Sequence, residues 1–90
     1  MNKAELIDAV ADAADLPKAS AARAVEAVTD LITDTLKKDE QVSIVGFGTF
    51  SLRARAARTG RNPRTGESIE IKASRVPAFK PGKALKDAVN

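Results

Sequence analysis

The sequence predicts an α+β fold: two N-terminal helices, a three-stranded antiparallel sheet carrying a long projecting β-hairpin arm, and a short C-terminal helix. Three observations predict it. Apolar residues recur at spacings of three and four through residues 3–37, the period of a helix with one buried face. From Gln41 the period changes to two, the alternation of a half-buried strand. After Pro81 a last apolar set, Ala84, Leu85, Ala88 and Val89, returns to helical spacing. Ninety residues make one domain. Its regions are residues 1–40, helical; 41–79, sheet; and 81–90, terminal helix.

The first helix is expected over Lys3–Ala14. Asn2 suits its N-cap, and Glu5 three residues on completes a capping-box pattern. Leu6, Val10 and Ala13 or Ala14 share one face. Glu5, Asp8, Asp12 and Asp15 share the opposite one. An acidic stripe of this kind is ordinarily a solvated surface; it would also repel a polyanion. Pro17 forbids continuation of the helix and suits the start of a second, expected to run from Lys18 to Lys37. Ala21, Val25, Val28, Ile32 and Thr35 line one face, widened by Ala24, Leu31 and Leu36. That face is wider than one short helix covers.

The sheet begins with Val42 and Ile44 alternating against Gln41 and Ser43. Gly46 and Gly48 flank Phe47 and imply a tight turn. Phe50, Leu52, Ala54 and Ala56 then share a face opposite Ser51, Arg53 and Arg55. The returning strand carries Ile69, Ile71 and Ala73 against Glu70, Lys72 and Ser74. At Arg75–Val76 the phase shifts, which predicts a bulge or the junction of arm and body. Pro77 predicts an edge or strand end. Pro81 is expected to start the last helix, with Lys83 and Lys86 on one of its faces.

Apolar residues make up 43% of the chain, but much of that is alanine, and the aromatics are Phe47, Phe50 and Phe79. A chain this small is marginal as a monomer. With no cysteine and no histidine, neither disulfides nor a His/Cys zinc site can staple it, which leaves oligomerisation. Its N-terminus resembles neither a signal peptide nor a membrane span, so a soluble intracellular protein with no membrane partner is expected. The net charge of +3 hides an asymmetry: residues 1–40 hold nine acids against five bases, and residues 41–90 hold ten bases against three acids. The basic half calls for a polyanionic partner.

The hairpin of about residues 53–75 explains where that partner sits. Each limb of about ten residues spans roughly 33 Å, well beyond the ~12 Å radius expected of a 90-residue domain. The outer part must project, and an isolated ribbon is marginal in water, so the arm is expected to be mobile when free and ordered when bound. Its charges are Arg53, Arg55, Arg58, Arg61, Arg64, Lys72 and Arg75 against Glu67 and Glu70. Mixed signs or lysine would suffice to protect a strand edge. Arginine's planar fork suits phosphates and narrow grooves, and a basic ribbon fits a DNA groove. Pro63 is readable either as turn chemistry or as an apolar wedge between base steps.

The segments "GFGTF", "ARTGRNPRTGE" and "VPAFKPGKALKDAVN" resemble the bacterial histone-like HU/integration host factor family, and the resemblance spans the whole chain. It implies an intertwined homodimer on a helical base, with one β-arm per subunit entering the minor groove. HU is a standard example of a minor-groove architectural binder. It implies that Pro63 intercalates and kinks the duplex. The implied DNA contacts are Lys3, Arg53, Arg55, Arg58, Arg61, Asn62, Pro63, Arg64, Lys72, Ser74, Arg75, Lys80, Lys83 and Lys86. Phe47, Phe50 and Phe79, with Leu36 and Ile44, are the implied dimer core. Pro17 departs from the Ser or Thr helix cap of many relatives, a loss of about 1 kcal/mol, offset in part by proline's restriction of the unfolded chain.

The resemblance therefore implies an architectural protein of the bacterial nucleoid that binds, bends and compacts duplex DNA without sequence specificity and prefers nicked, junction or pre-bent DNA. Site-specific bending, as by integration host factor, is the nearest alternative. A paralogous subunit and RNA are further candidate partners, though the chain has no Trp or Tyr and no stacking platform for single strands. A protein-interaction module using the acidic helical face is a reading from a different class. Without His or Cys, and with its acids in a solvated stripe, the sequence offers no catalytic constellation, cofactor motif or metal cluster.

Overall fold

The computed structural model describes residues 1–90. In chain order its elements are α1 (Lys3–Ala14), α2 (Lys18–Lys37), β1 (Val42–Ile44), β2 (Gly48–Arg55), β3 (Arg58–Arg61), β4 (Ser68–Ile71), β5 (Ser74–Pro81) and α3 (Lys83–Ala88). They fall into two units, Met1–Asp34 and Thr35–Asn90.

In the first unit, α1 starts where Asn2 Oδ1 accepts the Glu5 N–H at 2.8 Å, satisfying one of the free donors of the first turn. It ends on Asp15 in the left-handed region, φ 54. Lys3 pairs with Glu26 and Lys18 with Asp8 across the two helices, at 3.3 and 3.1 Å. Ala21 is fully buried and Val25 nearly so. Leu6, Val10, Ala24, Val25, Val28 and Thr29 line an open apolar groove. Val28 is 53% exposed and Leu31 65%. The wide face expected of α2 therefore exists, and much of it is uncovered within one chain.

The second unit opens on the last turn of α2. The Glu40 N–H donates to Thr35 O and the Asp39 N–H to Leu36 O, at 3.2 and 3.0 Å. This pair of bonds is a Schellman motif, which satisfies the last carbonyls of a helix. It requires its C′ residue in the left-handed region, ordinarily glycine; here that residue is Asp39, φ 59.

The sheet follows in the order β1-β2-β5, antiparallel throughout, with β3-β4 as a separate ribbon. The ladder holds one register from Gly48↔Pro81 to Arg55↔Ser74. It resumes from Arg58↔Ile71 to Arg61↔Ser68. Ala56–Ala57 on one limb and Lys72–Ala73 on the other leave the ladder at the same level, so no residue is inserted. Of the two readings offered for Arg75–Val76 the bulge is absent, since Ala54 pairs with Arg75 and Arg53 with Val76 without interruption, while the junction of arm and body lies just before them, where the ladder breaks at Lys72–Ala73. The phase shift instead turns Arg75 onto the face of Phe50, Leu52, Phe79 and Pro77, because directly opposed residues share a face.

The expected start of the last helix at Pro81 is also corrected. Pro81 is the last residue of β5, Gly82 is the N-cap, and α3 begins at Lys83. Pro77 and Pro81 lie four apart on an edge strand, so both missing N–H groups point to the same open side and no ladder bond is lost. On the sheet's apolar face Phe79 stacks against Phe50 at 4.8 Å and Phe47 at 5.5 Å, both tilted. Leu36 is nearly buried, while Ile44, Phe47 and Phe79 are each at least 40% exposed.

Candidate nucleic-acid interface

The arm's tip is held by its own backbone and one asparagine. The Asn62 N–H donates to Glu67 O and the Gly66 N–H to Asn62 O, both at 2.8 Å. Asn62 Oδ1 also accepts the Arg64 N–H at 2.8 Å, the Asx turn that a proline-centred reversal favours. Thr65 Oγ1 accepts the Glu67 N–H at 3.3 Å. Gly66 supplies the positive φ, 74°. Pro63 therefore stands exposed between two residues tied to each other. The sequence offered Asn62 as a nucleic-acid contact; the structure gives its side-chain oxygen a turn-forming role.

Below the tip, β3 and β4 are exposed at every position but Gly60. The Cδ1 of Ile71 lies over that glycine, 3.1 Å from where a Cβ would be. Arg58 shares this face with Ile71, Gly60 and Ile69, while Arg61 shares the other with Thr59, Glu70 and Ser68. The ribbon thus presents guanidinium groups on both faces, and Arg64 adds a third in the turn.

At the root of the arm the register gathers Arg53, Arg55 and Ser74 on one face of β2–β5, and Lys80, opposite Thr49, shares that face at the far end of the strands. Arg75 is turned to the other face, and its Nη1 lies 2.8 Å from Asp39 Oδ1. Lys72 sits in the ladder's interruption, and Lys83 and Lys86 lie on α3, all exposed. Lys3 belongs to the first unit, paired with Glu26. Two acidic partners, Asp39 and Glu26, were missed by the sequence reading. Arg75 and Asp39 are 36 residues apart, and their meeting depends on register, which no local pattern reports.

No group of three or more His, Cys, Asp or Glu side chains converges on a metal site. No helix is long and apolar enough to cross a membrane.

The model of a family described as bacterial DNA-binding protein matches residues 1–90. The chain belongs to the bacterial DNA-binding protein family. Within that family it is 61% identical to DNA-binding protein HU-beta of Pseudomonas aeruginosa, covering 100% of both chains. It is 63% identical to DNA-binding protein HU of Geobacillus stearothermophilus, covering 99% of each. Among solved structures, the Anabaena HU–DNA cocrystal structure matches at a TM-score of 0.90 and 46% identity, covering 99% of this chain and 97% of that one. The resemblance to HU read from the sequence motifs is thereby established as family membership, and the family is one of structural DNA-binding proteins rather than enzymes.

Proposed function

We propose that the protein is an architectural component of the bacterial nucleoid. It binds duplex DNA without sequence specificity as a homodimer, bends it and compacts it. The observation that carries this is the outer ribbon: β3, β4 and their turn are exposed at nearly every residue, carry Arg58, Arg61 and Arg64, and present Pro63 on a tip braced by Asn62. A ribbon without a core of its own is stabilised by what it binds. Two guanidinium-bearing faces suit the two phosphate walls of a minor groove. Pro63 is compact, apolar and held by its neighbours, the properties of a wedge between base steps.

Family membership and relatives named as DNA-binding HU proteins support the assignment to DNA. The uncovered faces of α2 and the aromatic cluster support the homodimer, and a paralogous subunit with the same faces would fit equally. RNA finds no support in the names of these relatives.

Affinity comes mainly from counterion release, so it falls steeply with salt. Preference follows deformability, since a nick or junction lowers the cost of the kink. The test is a titration of intact, nicked and four-way-junction DNA of matched sequence at several salt concentrations. Tighter binding to nicked and junction DNA at each salt is expected. Equal affinity for all three would overturn the kink, and binding insensitive to salt would overturn the phosphate-directed arm. Competition between a defined site and random DNA separates this activity from site-specific bending.

A further inference from the structure

We infer that Asp39 is an internal competitor of DNA phosphate for Arg75 and so sets how much the root of the arm contributes to binding. The inference rests on the duplex-binding function proposed above. Three observations carry it. The Arg75 Nη1 lies 2.8 Å from Asp39 Oδ1, the distance of a charge-assisted hydrogen bond. Both side chains remain open, 52% for Arg75 and 70% for Asp39, so the pair is exchangeable rather than locked by burial. The backbone that carries the carboxylate is also fixed: Asp39 is the left-handed residue of the Schellman motif that ends α2, φ 59, with its N–H bonded to Leu36 O.

That last feature separates Asp39 from an incidental surface acid. The motif asks for glycine, which would leave Arg75 without this partner. Aspartate is tolerated in the left-handed region better than most residues, and here it puts a negative charge beside the base of a cationic arm. A phosphate approaching Arg75 must displace the carboxylate and then lies close to it. Arg75 is thereby withheld from a duplex that does not reach the root of the arm. It is released to one that bends far enough to bring phosphate there. Arg53 and Arg55, on the opposite face of the same strands, have no such gate in view and engage first.

The test is a double-mutant cycle on the full-length protein, Asp39→Asn, Arg75→Gln and the double variant, by fluorescence anisotropy on intact duplex across salt. Asparagine keeps the left-handed backbone and removes the charge. Asp39→Asn is expected to tighten binding about two- to fivefold per arm at low salt, the range of an exposed ion pair. The slope of log K against log salt should steepen by up to about 0.9 per arm, one further phosphate contact. With Arg75→Gln already present, the same change should produce little gain. Asp39→Gly, which suits the backbone, should reproduce the gain, and circular dichroism melting checks that each variant is folded. An equal gain with and without Arg75 would mean general repulsion and overturn the inference. So would no gain, or a loss, which would make Asp39 a brace for Arg75. Wild-type protein that failed to bind duplex at all would instead overturn the function proposed above.

Discussion

In the proposed function, Pro63 is the residue at which binding and bending separate. Its pyrrolidine ring carries no charge and adds little to counterion release, so its removal should spare most of the affinity. Pro63→Ala is expected to reduce the bend angle of bound duplex substantially while weakening binding to intact DNA by less than about tenfold, the order of one lost apolar contact. Bending measured by end-to-end energy transfer checks this, and an unchanged angle would remove the wedge role. Gly48 makes a different demand. A Cβ there would stand 2.5 Å from Phe79 Cζ and 2.7 Å from the Lys80 carbonyl oxygen. The ring could shift only by disturbing its stack with Phe50 and Phe47, and the carbonyl belongs to the paired strand. Gly48→Ala is therefore expected to cost about 1–3 kcal/mol of stability, read as a lower denaturation midpoint with an unchanged slope. The sequence marked both residues but could not rank their roles. Proline looks alike as turn former and as wedge, and the close approach at Gly48 depends on a ring that comes from a strand 31 residues away.

The elements themselves were legible because local patterns dictate them. Apolar spacing and the Asn2 cap gave α1 its bounds, and Pro17 and Lys37 gave α2 its own. Errors arose where two local signals were compatible with the same residue. Pro81 suits the first turn of a helix and equally the end of an edge strand; pairing with Gly48 decided for the strand. The broken alternation at Arg75–Val76 suits a bulge and equally the junction of arm and body; an uninterrupted register there removed the bulge, and the break at Lys72–Ala73 places the junction beside it. If the arm acts as proposed, its contribution is additive in charge, and this gives a prediction for the element as a whole. Replacing Arg58, Arg61 and Arg64 together with Gln removes three phosphate-directed groups per arm. The slope of log K against log salt should become shallower by about 2.7 for each arm engaged. Thermal stability should change little, because the ribbon buries almost nothing and exposed substitutions fall within about 0.5 kcal/mol. A large loss of stability would mean that the ribbon packs on the body in solution.

At the scale of the molecule, the buried apolar side chains are Ala21, Val25 and Leu36, too few to offset the ordering entropy of the chain. Meanwhile Leu6, Val28, Leu31, Ile44, Phe47 and Phe79 remain at least 40% exposed, and uncovered apolar residues grouped on element faces are the mark of a surface awaiting a partner. A second copy of the chain supplies such surfaces in matching numbers, and a two-fold assembly lets each face meet its own kind. In the proposed homodimer, folding and association are one equilibrium, so stability should depend on protomer concentration. With roughly 0.7 kcal/mol of unfolding enthalpy per residue over two chains of 90 residues, a tenfold rise in concentration should raise Tm by about 4 °C. Val28→Asp places a charge in the middle of the uncovered stripe and should leave the chain largely unfolded at micromolar concentration, since an unpaired charge in an interface costs several kcal/mol. Calorimetry at a series of concentrations checks both. A Tm independent of concentration, or a Val28→Asp protein that melts like the wild type, would show that one chain is stable alone and that the α2 face is not where two chains meet.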